Sequence, residues 1–232
     1  MPERLSAARG HALRRWGLAI ALVAGLAGCA QTGGGRAVAP ARAERLAALF
    51  TESVPIGWMV ERIAARDPQW PYQKYPGKFT PTQLACTRGE LTADKVAATQ
   101  RDDARAFARR YPERVEESIQ VLEAGGAAAM NLLMRAGVGE EMSGRRADPR
   151  ALMGQLSAGQ LRAFTELAEG SPHAELRQAL RIDGMAGANS RQESRQRGFK
   201  VGQDLMIGPL LTAMERCRIS PATLFDKAGT PT

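Results

Sequence analysis

The stretch ERVEESIQVLEAGGAAAMNLLMRAG, residues 113–137, decides the fold class. Its apolar residues Val115, Ile119, Leu122, Ala129 and Leu133 recur at helical spacing and form one stripe, and nothing in it alternates with period two. Gly125-Gly126 interrupts this helix. Each glycine costs roughly 1 kcal/mol against alanine in a helix interior, so the pair weakens the helix or provides a bare surface for a second helix.

The same period extends outward in both directions. Upstream, Tyr111-Pro112 separates the stretch from a helix that Thr92 opens and Arg110 closes, with Val96 and Phe107 inward. From about residue 41, ARAERLAALFTESV places Leu46, Leu49, Phe50 and Val54 on one face, and Pro55 forces a restart. Two helix starts obey one rule. In FTPTQL (79–84), Thr80 and Gln83 have capping-box spacing, with Phe79 and Leu84 as a hydrophobic staple; Ser157, Gln160, Leu156 and Leu161 repeat it in LSAGQL.

Downstream, GVGEEMSGRRADPR (137–150) reads as a loop ending in the N-cap pair Asp148-Pro149. A helix over 157–169 buries Leu161, Phe164 and Leu167 and stops at Gly170. Ser171-Pro172 opens the next, with Ser171 as its cap and Leu176 and Leu180 inward. Ser190 and Glu193 cap a last long segment carrying Val201, Leu205, Leu210, Met214 and Cys217, which Pro209 should kink. The expectation is an all-α protein, an irregular or orthogonal bundle of seven or eight helices forming one domain over residues 41–232.

One segment escapes the pattern. DPQWPYQKYPGKFTP (67–81) holds four prolines with Trp70, Tyr72, Tyr75 and Phe79 between them, which excludes a regular helix. Its rings are either a binding surface for glycan or a partner protein, or anchors that pin a long loop to the helices.

The N-terminus carries an address. LAIALVAGLAGC (18–29) is an apolar run about half the ~20 residues needed to span a membrane, behind a basic head of Arg4, Arg9, Arg14 and Arg15. Leu26-Ala27-Gly28-Cys29 resembles the lipobox of bacterial lipoproteins, whose cysteine is acylated and becomes the new N-terminus. The resemblance implies a signal peptide over 1–28, and a lipidated Cys29 with a flexible glycine-containing tether over 29–40. It also implies attachment to the lipid bilayer through Cys29. Residue 30 is alanine rather than aspartate, which favours the periplasmic face of the outer membrane.

In that oxidising compartment Cys86 and Cys217 are the two remaining thiols and are expected to form a disulfide, with two separately buried thiols as the alternative. Removing residues 1–28 takes away four arginines and one glutamate. The mature chain then has 28 basic against 23 acidic residues, a mild excess that gives no nucleic-acid footprint.

No motif asks for a cofactor or a metal. His173 is the one histidine beyond the signal, and Gly-x-Ser-x-Gly and phosphate-loop motifs are absent. Asp102, Asp103, Glu116 and Glu117 are the carboxylates from which a glycan-cleaving pair could be drawn. The reading is therefore a lipid-anchored periplasmic protein that binds an envelope protein or cell-wall glycan. A two-carboxylate cell-wall glycan hydrolase or a hydrophobic-ligand carrier are the alternatives. Residues 156–180, through Ser157, Leu161, Phe164, Leu167, Ser171 and Pro172, resemble the bacterial family known as domain of unknown function 2059, which implies a secreted helical domain.

Overall fold

The computed structural model describes residues 37–224 apart from 76, 186, 188 and 189. Helix α1 (Pro40–Ser53) begins with proline, whose missing amide is no loss in a first turn. Pro55 ends it, and α2 (Ile56–Arg66) restarts at once. Then follow α3 (Pro81–Glu90), α4 (Ala93–Arg110), α5 (Val115–Val121), a π-turn over Leu122–Gly126, and α6 (Ala127–Ser143). The rest comprises α7 (Pro149–Met153), α8 (Ala158–Glu169), α9 (Ala174–Ala179) and α10 (Arg191–Arg216). Segments α7 and α9 are short pieces, so eight helices carry the fold, and no strand occurs among the described residues.

Helix α1 is the hub, packed on α4, α5 and α6. Leu46, Leu49, Phe50 and Val54 are all buried, as their spacing requires. Each contributes about 1.5–3 kcal/mol through its removal from water. At the break beside Pro55 the Val54 carbonyl accepts from the Ile56 amide and from the buried Gln100 side chain of α4, both at 2.8 Å. Arg105 of α4 binds both carboxylate oxygens of Glu44, at 2.7 and 2.8 Å, and also Asp102 at 2.8 Å.

Three local expectations change. The first concerns 137–150, because α6 runs on to Ser143 and ends only where Gly144 turns left-handed at φ 66°. Gly137 and Gly139 are tolerated because Met130 and Met134 already hold the helix to the core. Second, Leu133 is half-buried and Met134 takes the inward place. Ala129 stays buried where its spacing puts it, and beyond the kink at Gly125 Met130 and Met134 reach the core as well. Third, Leu161 and Phe164 are half-buried while Ala163 and Leu167 form the inner face of α8. The last long segment forms one helix, α10, with Pro209 inside it and Leu205, Ala213 and Met214 buried on either side.

Capping follows the sequence more closely. Thr80 and Ser157 both form complete capping boxes with Gln83 and Gln160. Ser190 accepts from the Glu193 amide and Asp148 from the Arg150 amide. Thr92 stands at its N-cap position without a side-chain bond, and Ser171 makes none either.

The π-turn is the tightest point. Gly125 has φ 122°, a region open in practice to glycine alone. A Cβ there would lie 2.4–2.9 Å from three atoms of Gln160, and one at Gly126 would meet the Val121 carbonyl oxygen at 2.8 Å. The glycine pair is therefore the surface on which α8 rests, as one reading of the sequence anticipated.

Two predictions follow from this packing. Gly125→Ala should lower stability by about 2 kcal/mol or more in chemical denaturation, while Gly137→Ala should be neutral or stabilise by up to about 1 kcal/mol. No neighbour lies within 4 Å of a Cβ at Gly137. The second concerns pH. The Arg105 hydrogen bonds hold the Glu44 carboxyl below its ordinary 4.5. The stability this gives is present above 4.5 and lost as pH falls through the lowered value. Glu44→Gln should therefore lower the urea midpoint at about pH 7, with the difference closing towards about pH 2.

Candidate functional site

The aromatic segment over 67–80 folds inward. Trp70 joins the main core and Tyr72 belongs to a second, smaller cluster with Met214 and Ile219. Phe79, Leu84, Leu210, Cys217 and Leu224 pack around that cluster. The Tyr72 ring stacks on Phe79 with centroids 3.6 Å apart, and its hydroxyl shares a hydrogen bond with Thr87 at 3.0 Å. Arg88 pins the chain from beneath, donating to the Pro68 and Ala64 carbonyls at 2.9 and 2.8 Å. Trp70 and Tyr72 are thus buried, Tyr75 and Phe79 half-buried. The four rings do not make one open aromatic face.

Cys86 of α3 and Cys217 at the end of α10 form a disulfide, with sulfurs 2.05 Å and Cα atoms 5.9 Å apart. It clamps the small cluster from outside. Arg216 binds Glu90 at 2.9 Å on the same seam, and Lys95 holds the other oxygen of Glu90 at 2.6 Å. These bonds keep the Glu90 carboxyl below its ordinary value.

The carboxylates singled out in the sequence are each engaged by a separate arginine. Asp102 pairs with Arg105, Asp103 with Arg181, Glu116 with Arg42 and Glu117 with Arg114. Burial pushes the Asp103 carboxyl up in spite of Arg181. His173 is buried beneath the end of α8, with Nε2 3.5 Å from Glu166, and Ser171 takes no part in that contact. No group of three or more metal-ligating side chains occurs among the described residues. Cys29 lies outside the described residues.

A concave polar feature sits at the π-turn. A recess of about 470 Å³ is lined by Arg45, Leu49 and Glu52 of α1, by Leu122 to Gly125 of the turn, by Ala128, and by Gln160 of α8. Arg45 pairs with Glu123 at 2.6 Å across it. The Glu52 carboxylate has no cationic partner among the described residues, its backbone carbonyl being taken by Asn131. Gln160 spends its carbonyl oxygen on the Ser157 cap, which leaves its amide N–H groups directed to a ligand or solvent. The recess can therefore hold a polar molecule bearing one positive group and one acceptor over an apolar floor of Leu49 and Leu122. Leu49, Leu122, Gly125 and Gln160 stood out in the sequence as stripe, break or capping residues, and none of the lining as a binding residue. The glycine pair beside Glu123 was the one available signal.

No family model matches this chain, and neither a curated protein nor a solved structure matches it.

Loss of the disulfide gives a direct test of how the small cluster is held. A Cys86→Ala, Cys217→Ala double variant should lose up to roughly 4–5 kcal/mol of stability by the loop-entropy model. Urea denaturation followed by tryptophan fluorescence, with and without reductant on the unaltered chain, measures the loss.

Proposed function

We propose that the chain is a lipid-anchored helical protein on the periplasmic face of a bacterial outer membrane, acting by binding rather than by catalysis. The observation that carries this reading is the lipobox-like Leu26-Ala27-Gly28-Cys29 at the end of a short apolar run behind a basic head. The Cys86–Cys217 disulfide supports it, because such bonds persist in oxidising compartments. Among the described residues no helix is long and apolar enough to cross a membrane, so acyl chains on Cys29 are the attachment this reading uses. Two or three chains anchor stably where one does so only marginally.

Within that setting the π-turn recess is the candidate place of contact with an envelope protein or a cell-wall glycan. Its lining is polar and mixed in charge, and hydroxyl, amide and ammonium groups of such partners match it. The two-carboxylate hydrolase draws less support, since each candidate acid is already bound to its own arginine.

A Cys29→Ser variant tests the anchor. The unaltered protein should fractionate with membranes and show a diacylglyceryl mass increment on an N-terminal peptide that begins at residue 29. The variant should lose that increment and keep residues 1–28. Retention of normal maturation by Cys29→Ser would overturn the proposal.

A further inference from the structure

Two guanidiniums lie over one indole ring. Arg62, one turn on from Trp58 in α2, has its central carbon 5.6 Å from the ring centroid. Arg135 reaches the same ring from α6, at 4.4 Å. The two central carbons are thus at most 10.0 Å apart. A ring face attracts an exposed cation by about 0.5–1 kcal/mol, while the two positive charges repel each other. Arginines elsewhere in the chain are neutralised by a carboxylate, Arg45 by Glu123, Arg105 by Glu44 and Arg181 by Asp103. Neither Arg62 nor Arg135 has a carboxylate partner among the described residues.

One of the pair is held in place. Arg135 donates through Nε to Asn131 Oδ1 at 2.7 Å, and Asn131 donates from its own amide to the Glu52 backbone carbonyl. The two terminal nitrogens of Arg135 are left without an acceptor among the described residues, and Arg62 makes no hydrogen bond to any of them. Both arginines are exposed, and the half-buried Trp58 ring is their common support. Two free forks from two helices suit one kind of anion. A carboxylate has two oxygens, which a single guanidinium satisfies. A phosphate carries more charge and three acceptor oxygens, so it can take a fork from each arginine.

We infer that Trp58, Arg62 and Arg135 form a binding site for a phosphate group, carried by a lipid headgroup or free in solution. Arg135 is the fixed half of the clamp, and Arg62 turns onto the bound group from α2. The inference rests neither on the lipid anchor nor on the π-turn recess. It also supplies its own reporter, because the ring beneath the two arginines is a tryptophan. Trp70, the other tryptophan among the described residues, is 5% exposed and packs in the core.

Fluorescence titration of the full chain in neutral detergent, at constant ionic strength, tests the inference. The probes are inorganic phosphate and short-chain phosphatidylglycerol, with acetate as the carboxylate control. A saturable change in tryptophan emission with inorganic phosphate supports a free phosphate as the occupant. A change with phosphatidylglycerol alone supports a headgroup. Trp58→Phe should abolish the signal. Arg62→Ala and Arg135→Ala should each weaken binding by about tenfold. Arg135→Lys, which keeps the charge and loses the fork, should weaken it nearly as much, with the urea midpoint close to that of the unaltered chain. Four results would each overturn the inference: no saturable change with either probe, acetate acting as well as phosphate, a signal that survives Trp58→Phe, or unchanged binding in the arginine variants. The last would leave Arg62 and Arg135 as a staple between α2 and α6.

Discussion

Helix α8 can lie where it does because residue 125 has no side chain. Gln160 occupies the volume that a Cβ would need, at distances no real packing allows. The kink at Gly125 also sets how α6 starts, with Ala129, Met130 and Met134 reaching the core while Leu133 is half-buried. Three helices and the recess beside them therefore depend on a single position. Leu167, fully buried on α8, comes within reach of Gly126 through the same approach.

Around that point the ion pairs act as surface ties. Arg42, Arg45 and Arg105 link α1, or its partner α4, to Glu116, Glu123 and Glu44. All are substantially exposed, so each contributes little by itself in water. Their common effect is to fix the orientation of the hub helix once the apolar face made by Leu46, Leu49 and Phe50 has been buried. Arg181 plays a similar part for α10. It adopts φ 57°, reaches Asp103 and the Asp204 carbonyl, and lies so close to Gly208 that a side chain there would meet its guanidinium at 2.7 Å.

What could be read from the sequence was local. Capping boxes at Thr80 and Ser157 involve residues three apart, and helix spacing identifies Leu46, Leu49, Phe50 and Val54 without knowledge of their neighbours. The cysteine pairing was legible because only two thiols remained for an oxidising compartment. What could not be read was distant. Gly125 acquires its meaning from Gln160, far along the chain, and the recess from residues on α1, the turn and α8. The continuation of α6 through Gly137 and Gly139 was hidden for a related reason. Propensity sees the residue that weakens a helix, while tertiary packing on either side overrides it. The aromatic segment was legible as a break, but the inward direction of Trp70 and Tyr72 depends on α3 and the end of α10.

The small cluster also imposes an order in time. Its first half, Tyr72, Phe79 and Leu84, is synthesised more than a hundred residues before Met214, Cys217 and Ile219. During that interval a tyrosine, a phenylalanine and a free thiol have no lasting cover, and helix α3 has little of its own to bury. The corner nearest the disulfide therefore closes only once the end of α10 has been made, and the crosslink then holds it shut.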